Sequence, residues 1–390
     1  MANLAVVGSH KVNGVAALHS DIIKKTLFKE FYDMWPDKFV NVTNGVTHRR
    51  WLLNCNPSLA NFITERIGNG WICDFSQIKK LAAFASDEAS QKAFLEVKRK
   101  DKQALLDFIH EEGRPRDSSG KQINSDVCMD SSALFDTQIK RVHEYKRQLL
   151  NALHLIIRYH EIQDNPTGQH VKRLAIFAGK AAASYETAKT IIHLISCIAK
   201  KINSDPVVSQ FLNVVYIENY NVSKAEIIIP ATDLSEQLST AGLEASGTGN
   251  MKFAMNGALT IGTEDGANIE MKQQVTPEWW PFTFGCLTEE IAEMKAKQNY
   301  KAWDIYQADP KIKRAVDSLR DRSLISHEKE HQSLSSLYYT LLEGSYGSQP
   351  DRYFVLKDLQ SYYETQQKVD ALYKTPLKWA EFAIHNIAGM

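Results

Sequence analysis

Leu174-Ala175-Ile176-Phe177 and Val214-Val215-Tyr216-Ile217 are two short apolar runs, and the stretch between them decides the fold. The first run ends at Gly179. The chain then carries Ile191, Ile192, Ile195 and Ile198 at helical spacing before the second run begins. Two buried strands joined by a long amphipathic helix form a crossover unit, the building block of a parallel sheet. The spacing therefore predicts an α/β fold with a doubly wound, mostly parallel sheet. Ligands of such sheets bind beyond the carboxyl ends of the strands.

Reading outward, Gln91 to Glu112 is predicted as a helix with Phe94, Val97, Leu105, Phe108 and Ile109 on one face and Gly113 as its stop. Arg114 to Ser125 reads as a surface loop. A strand is predicted around Phe135 to Ile139, followed by a helix from about Glu144 to Ile162 with Leu149, Leu150, Leu153, Ile156 and Ile157 inward. Asn165-Pro166-Thr167-Gly168 makes a turn. Leu259 to Ile261 is strand-like, and the chain from about Thr288 is mainly helical.

Composition narrows the function classes. Lys+Arg and Asp+Glu are both 46 in 390 residues, so no global field draws the chain to nucleic acid or an anionic membrane, and any basic site is local. Cys55, Cys73, Cys128, Cys197 and Cys286 stand far apart with no zinc-ligand spacing, which reads as reduced thiols in a cytoplasmic protein without a structural metal. No apolar run approaches the roughly 18 residues of a membrane helix.

Two segments carry chemistry. Glu244-Ala245-Ser246-Gly247-Thr248-Gly249-Asn250-Met251-Lys252-Phe253-Ala254-Met255-Asn256 is a glycine-punctuated loop running into an apolar stretch. Its glycines let backbone N–H groups approach an anion, and Asn250 is expected to cap the helix that follows. Lys252 sits among Met251, Phe253 and Met255, where desolvation favours a neutral, nucleophilic amine. Lys140, Arg141, His143, Lys146 and Arg147 gather positive charge at a strand-to-helix transition and suit one or two phosphates. On an isolated helix the same cluster would be a solvated basic face. Gly179-Lys180 lacks the other residues of a nucleotide phosphate-binding loop, and Lys252 occupies the place of the third glycine of a dinucleotide fingerprint.

The 244–256 segment resembles the pyridoxal-phosphate lysine motif of the α-glucan phosphorylases, the glycogen, starch and maltodextrin phosphorylase family. Further blocks agree in order: Gly8-Ser9-His10 through Val12-Asn13-Gly14 to His19-Ser20, Thr43-Asn44-Gly45 to Arg49-Arg50-Trp51, Ile139 to Gln148, Glu218-Asn219-Tyr220, and Leu259 to Asn268. The resemblance implies the cofactor half of a two-domain GT-B glycosyltransferase. On that reading residues 1–44 are a remnant of an N-terminal domain with the crossover. Residues 45–390 are then the cofactor- and phosphate-binding Rossmann-like domain, lacking a final C-terminal helix.

Residue by residue, the resemblance assigns Lys252 the Schiff base with pyridoxal 5′-phosphate, and Lys140, Tyr220, Trp51, Thr248 and Gly249 the hold on that cofactor. Arg141, Lys146 and the Gly247 backbone match the groups that bind inorganic phosphate or glucose 1-phosphate. Glu244, Ser246, Asn44 and His19 match those that hydrogen-bond the glucosyl unit. It implies reversible phosphorolysis of α-1,4-glucans with retention, in a cytoplasmic, allosteric, homodimeric parent, and little turnover from this chain alone. Asn221 stands where many members carry arginine, and His48 replaces a usual proline. Two alternatives stay open: a non-catalytic assembly module that keeps the sheet, and a sugar-nucleotide transferase without pyridoxal.

Overall fold

The computed structural model describes residues 1–111, 130–324, 328–345 and 347–390. The predicted stop at Gly113, the loop from Arg114 to Ser125 and Cys128 lie outside the described residues. Among the described residues, strands β1 (Val12–Gly14) and β2 (Phe39–Asn41) pair in parallel only with each other. The main sheet contains β3 (Leu134–Ile139), β4 (Arg173–Ala178), β5 (Leu212–Ile217), β6 (Leu234–Gln237), β7 (Leu259–Gly262) and β8 (Phe282–Thr283). Its order is β5-β4-β3-β6-β7-β8, and every pair is parallel. The predicted crossover stands: β4 and β5 run in register from Arg173↔Leu212 to Ala178↔Ile217, joined through the helix Glu186–Ser204.

Strands covered on both faces need near-continuous apolar runs, and β4 and β5 have all side chains buried. Leu174, Ile176, Val214 and Ile217 are fully buried, each contributing roughly 1.5–3 kcal/mol relative to exposure. β6 breaks that rule, because Ser235, Glu236 and Gln237 are polar and still buried. The helix Val355–Tyr373 makes this tolerable. Tyr362 Oη and Gln366 Nε2 donate to Glu236 at 2.9 and 2.8 Å, and Arg173 bridges Asp136, Gln366 and Asp370 from beside them.

Three expectations change. The helix predicted from Glu144 is a 3-10 turn, Glu144–Lys146, then Arg147 at φ 54°, then a helix over Gln148–Asp164. The left-handed residue turns the Arg147 guanidinium inward, where it pairs with Asp358 at 2.6 Å and donates to the carbonyls of Leu238, Ser239 and Phe354. Arg147 is thus a buried strut and leaves the phosphate-binding group. In the helix Glu88–Glu111, Phe94, Val97, Leu105 and Ile109 are buried while Phe108 lies half-buried at the rim; Ile192 of the crossover helix is likewise half-buried. No helix among the described residues is long and apolar enough to cross a membrane.

Candidate active site at the strand reversal

Sequence neighbours β3, β4 and β5 run one way from the middle of the sheet and β6, β7 and β8 the other, so the order reverses between β3 and β6. That reversal is where a doubly wound sheet opens a crevice at its carboxyl end. Lys140 follows β3 directly, and its Nζ donates across the crevice to Gln237 Oε1 at the end of β6, 2.8 Å away. Burial lowers its pKa to about 8 and Lys146 adds to the shift, while Glu244, Asp265 and Glu236 oppose it. Lys146 pairs with Glu244, which also accepts from Tyr145 Oη at 3.4 Å. Burial alone would lower the Lys146 pKa, but the Glu244 carboxylate outweighs it and the net shift is upward. Arg141 is exposed, and its guanidinium has no hydrogen-bond or ion partner among the described residues. His143 is a correction to the predicted cation cluster. Its ring packs between Tyr145 and Tyr185, Nδ1 accepts from the Tyr145 N–H at 3.2 Å, and burial lowers its pKa, so it is a neutral cap.

The glycine loop follows β6. Gly247 adopts φ 76°, and Ser246 behind it is buried, with its hydroxyl donating to the Gly247 carbonyl at 2.9 Å. The loop after β7 is pressed against it: a Cβ on Gly266 would lie 2.7 Å from the Ser246 carbonyl oxygen and 2.8 Å from that of Glu244. Only glycine permits that approach. The following helix, Gly249–Met255, is capped by Thr248 without a side-chain bond. Asn250, predicted as the cap, is instead buried inside the first turn and donates to Asn268 Oδ1 at 2.9 Å. With two turns the helix adds little macrodipole. Its contribution is the row of first-turn N–H groups that have no intrahelical acceptor.

Lys252 lies one turn in. Its Nζ sits 3.8 Å from the centre of the Trp51 ring and has no carboxylate or hydrogen-bond acceptor among the described residues. Burial, then the charge of Arg50, lowers its pKa. A cation–π contact of about 0.5–2 kcal/mol is weak compensation for an ammonium so placed. Trp51 is itself nearly buried, and its carbonyl accepts from Asn256 Nδ2 at 2.6 Å, which straps this segment to the lysine's helix.

His19 Nε2 donates to Asp265 Oδ1 at 2.9 Å. Asp265 is the residue that sequence reasoning left without a role. It also takes the N–H groups of Glu244 and Gly266 and the hydroxyl of Ser239, at 2.8 to 2.9 Å, so one buried carboxylate ties three segments together. Its presence in a Glu-Asp-Gly turn just after a strand was the available signal. Gln237, the partner of Lys140, was missed with β6. Two predicted residues stay apart from this cluster: Asn44 is exposed, with only its backbone N–H bonded to Val15, and Tyr220 is half-buried beyond edge strand β5. No hydrogen bond, ion pair or ring contact joins either to the other predicted residues. Asn221 caps the helix Val222–Ala231, and His48 stacks on Phe75 while bonding the Ile72 carbonyl.

The donor set fits a group bearing both an aldehyde and a phosphate. Lys252 is an amine biased toward its free base, Thr248 has an uncommitted hydroxyl, and the position a Cβ would take at Gly249 faces open space. Lys140 and Arg141 stand at the crevice as cations for the ionised part.

A family model described as carbohydrate phosphorylase matches residues 1–390. The chain is 45% identical over 390 residues to a glycogen phosphorylase of Synechocystis sp., covering all of this chain and 43% of that protein. It is 46% identical to one of Chlamydia pneumoniae, covering 45% of it, and 45% identical to the liver form of Bos taurus, covering 43%. The chain thus spans less than half the length of these curated relatives.

Proposed function

The chain belongs to the carbohydrate phosphorylase family, and from that premise we propose that it carries the cofactor and phosphate sites of a pyridoxal-phosphate-dependent α-1,4-glucan phosphorylase. The whole protein would convert glucan and inorganic phosphate reversibly to glucose 1-phosphate with retention, as a cytoplasmic homodimer. The observation that carries the reading is Lys252: a half-buried amine on an indole face, with no acidic partner among the described residues and a depressed pKa, at the end of a glycine loop.

When bound, pyridoxal phosphate supplies an ionised phosphate able to exchange a proton with the substrate phosphate. Lys252 would anchor it through the amine, and Trp51 would keep water from that side. Two phosphate groups in contact repel by about 4 kcal/mol per pair of unit charges at an effective dielectric of 20. Lys140, Arg141 and Lys146 offset that repulsion. Lys146 is held by Glu244 in the structure, so an arriving phosphate competes for the ammonium and frees the Glu244 carboxylate for a sugar hydroxyl. The Gly247 backbone and Ser246 line the same loop, and Asp265 holds His19 ready for a second hydroxyl. Thr248 and Gly249 offer the cofactor a hydroxyl and unobstructed N–H groups. Tyr220 and Asn44 belong to this reading through the family resemblance alone. Residues 1–44 are read as the edge of a second domain that forms the opposite wall of the cleft.

The test is borohydride reduction of the protein after incubation with pyridoxal phosphate, followed by peptide mapping and absorption spectra. One adduct per chain on Lys252, lost in Lys252→Met with unchanged far-ultraviolet circular dichroism, is expected. An adduct on another lysine, or none, overturns the proposal.

A further inference from the structure

A second cavity of about 860 Å³ lies away from the strand reversal, between the helices Thr288–Lys297 and Ala302–Ala308 and the segment leading into Val355–Tyr373. None of the residues assigned above to cofactor or substrate lines it. Three cations do: Lys295, Lys301 and Arg352. None of the three has an ion-pair partner among the described residues. Lys295 rests 5.6 Å over the Phe354 ring, and Arg352 is 5.4 Å from the ring of its neighbour Tyr353.

One carboxylate, Asp351, also lines the cavity among the described residues, and it is already committed. It accepts from the N–H groups of Val355 and Leu356 and from Tyr300 Oη, at 2.6 to 2.8 Å, and burial raises its pKa to about 7. The three exposed cations thus share one cavity wall, and none of them is paired with that carboxylate. Burial, together with the charge of Arg352, holds the Lys295 pKa below its ordinary value. A bound anion would relieve that repulsion between Lys295 and Arg352.

The remaining wall points to more than a simple ion. Trp303 is 39% exposed, held edge-on by Tyr306, and the amides of Gln298 and Gln349 line the same cavity with Ser348, whose hydroxyl donates to the Ser345 carbonyl at 2.6 Å and keeps its oxygen as an acceptor. A flat aromatic face with amides and a hydroxyl suits the apolar face and hydroxyls of a sugar ring. We propose that this cavity is a binding site for a phosphorylated sugar, with Lys295, Lys301 and Arg352 taking the phosphate and Trp303 the ring.

The site is tested by isothermal titration and tryptophan fluorescence with hexose 1- and 6-phosphates and, separately, inorganic phosphate. The titrations use an Arg141→Ala/Lys146→Ala background, which removes phosphate binding at the strand reversal, so the outcome does not depend on the proposed reaction. A hexose phosphate should bind and change the emission. Lys295→Met/Lys301→Met should weaken it at least tenfold, and Trp303→Leu should weaken the hexose phosphate more than inorganic phosphate. Circular dichroism of each variant checks the fold. The proposal is overturned if no hexose phosphate binds, if affinity is unchanged in the double lysine variant, or if inorganic phosphate binds as tightly as the sugar.

Discussion

The first 44 residues and the six-stranded sheet obey different physics. In the sheet nearly every strand position is buried, and even its ions are enclosed, as with Arg173 between Asp136 and Asp370. In residues 1–44 the buried apolar side chains are Val6, Ala16 and Phe39, while Met1, Leu4, Val7, Leu27, Met34, Trp35 and Val42 are exposed. What fastens that segment is polar: His19 on Asp265, and the Ala17 N–H and Thr43 hydroxyl on Glu270. A segment with so small a core takes its order from the surface it lies on, and here that surface is the candidate site.

The sharpest way to break the comparison is to open the sheet's ionic centre. Arg173→Ala leaves the buried Asp136 without its cation and Asp370 with Arg158 alone, so a loss of about 3–5 kcal/mol is expected in urea unfolding, with both regions lost together. Survival of the variant with wild-type stability would mean the network carries none of the sheet's cohesion. Acid probes the same centre. Burial would raise the Asp370 pKa, yet Arg158 and Arg173 bring it down to about 2 from 3.8. A depressed carboxylate stabilises the fold fully above pH 3.8, and about 2 kcal/mol should disappear as the pH falls from there through 2. Unfolding free energies between pH 5 and 2 that stay flat would contradict this.

Asp265→Ala should separate the regions instead. It removes the acceptor of His19 and of the Glu244 N–H, and about 1–3 kcal/mol is expected. Amide exchange should quicken in residues 17–25 and in the loop after β6, with β4 and β5 still protected. Uniform protection throughout would mean the segment is held some other way. The smallest effect belongs to the apolar surface: Leu27→Ser should change stability by no more than about 0.5 kcal/mol, since Leu27 is 68% exposed. A larger loss in thermal melting would show a hidden contact for this side chain.

Much of this was legible from residue order. The crossover from Leu174 to Ile217 announced itself because strands covered on both faces must be apolar, and the 244–256 loop because glycines and a lysine in apolar company have few other uses. β6 was not legible. Ser235-Glu236-Gln237 looks like loop until Tyr362, Gln366 and Lys140, far away in the chain, provide the hydrogen bonds that let it be buried. Arg147 and Lys146 are adjacent cations of like kind in sequence. A single left-handed backbone residue sends one into the core and leaves the other at the crevice.

By itself, then, the sequence determined the sheet class, the position of the glycine loop and the identity of its amine, because periodicity and local chemistry are properties of neighbours along the chain. The tertiary structure alone decided the partners: which cations are spent on buried carboxylates, which carboxylate binds three segments, and which amine meets an indole ring. Electrostatic and hydrogen-bond partners are chosen by distance in space and by the loss of water, and neither is written in the order of residues.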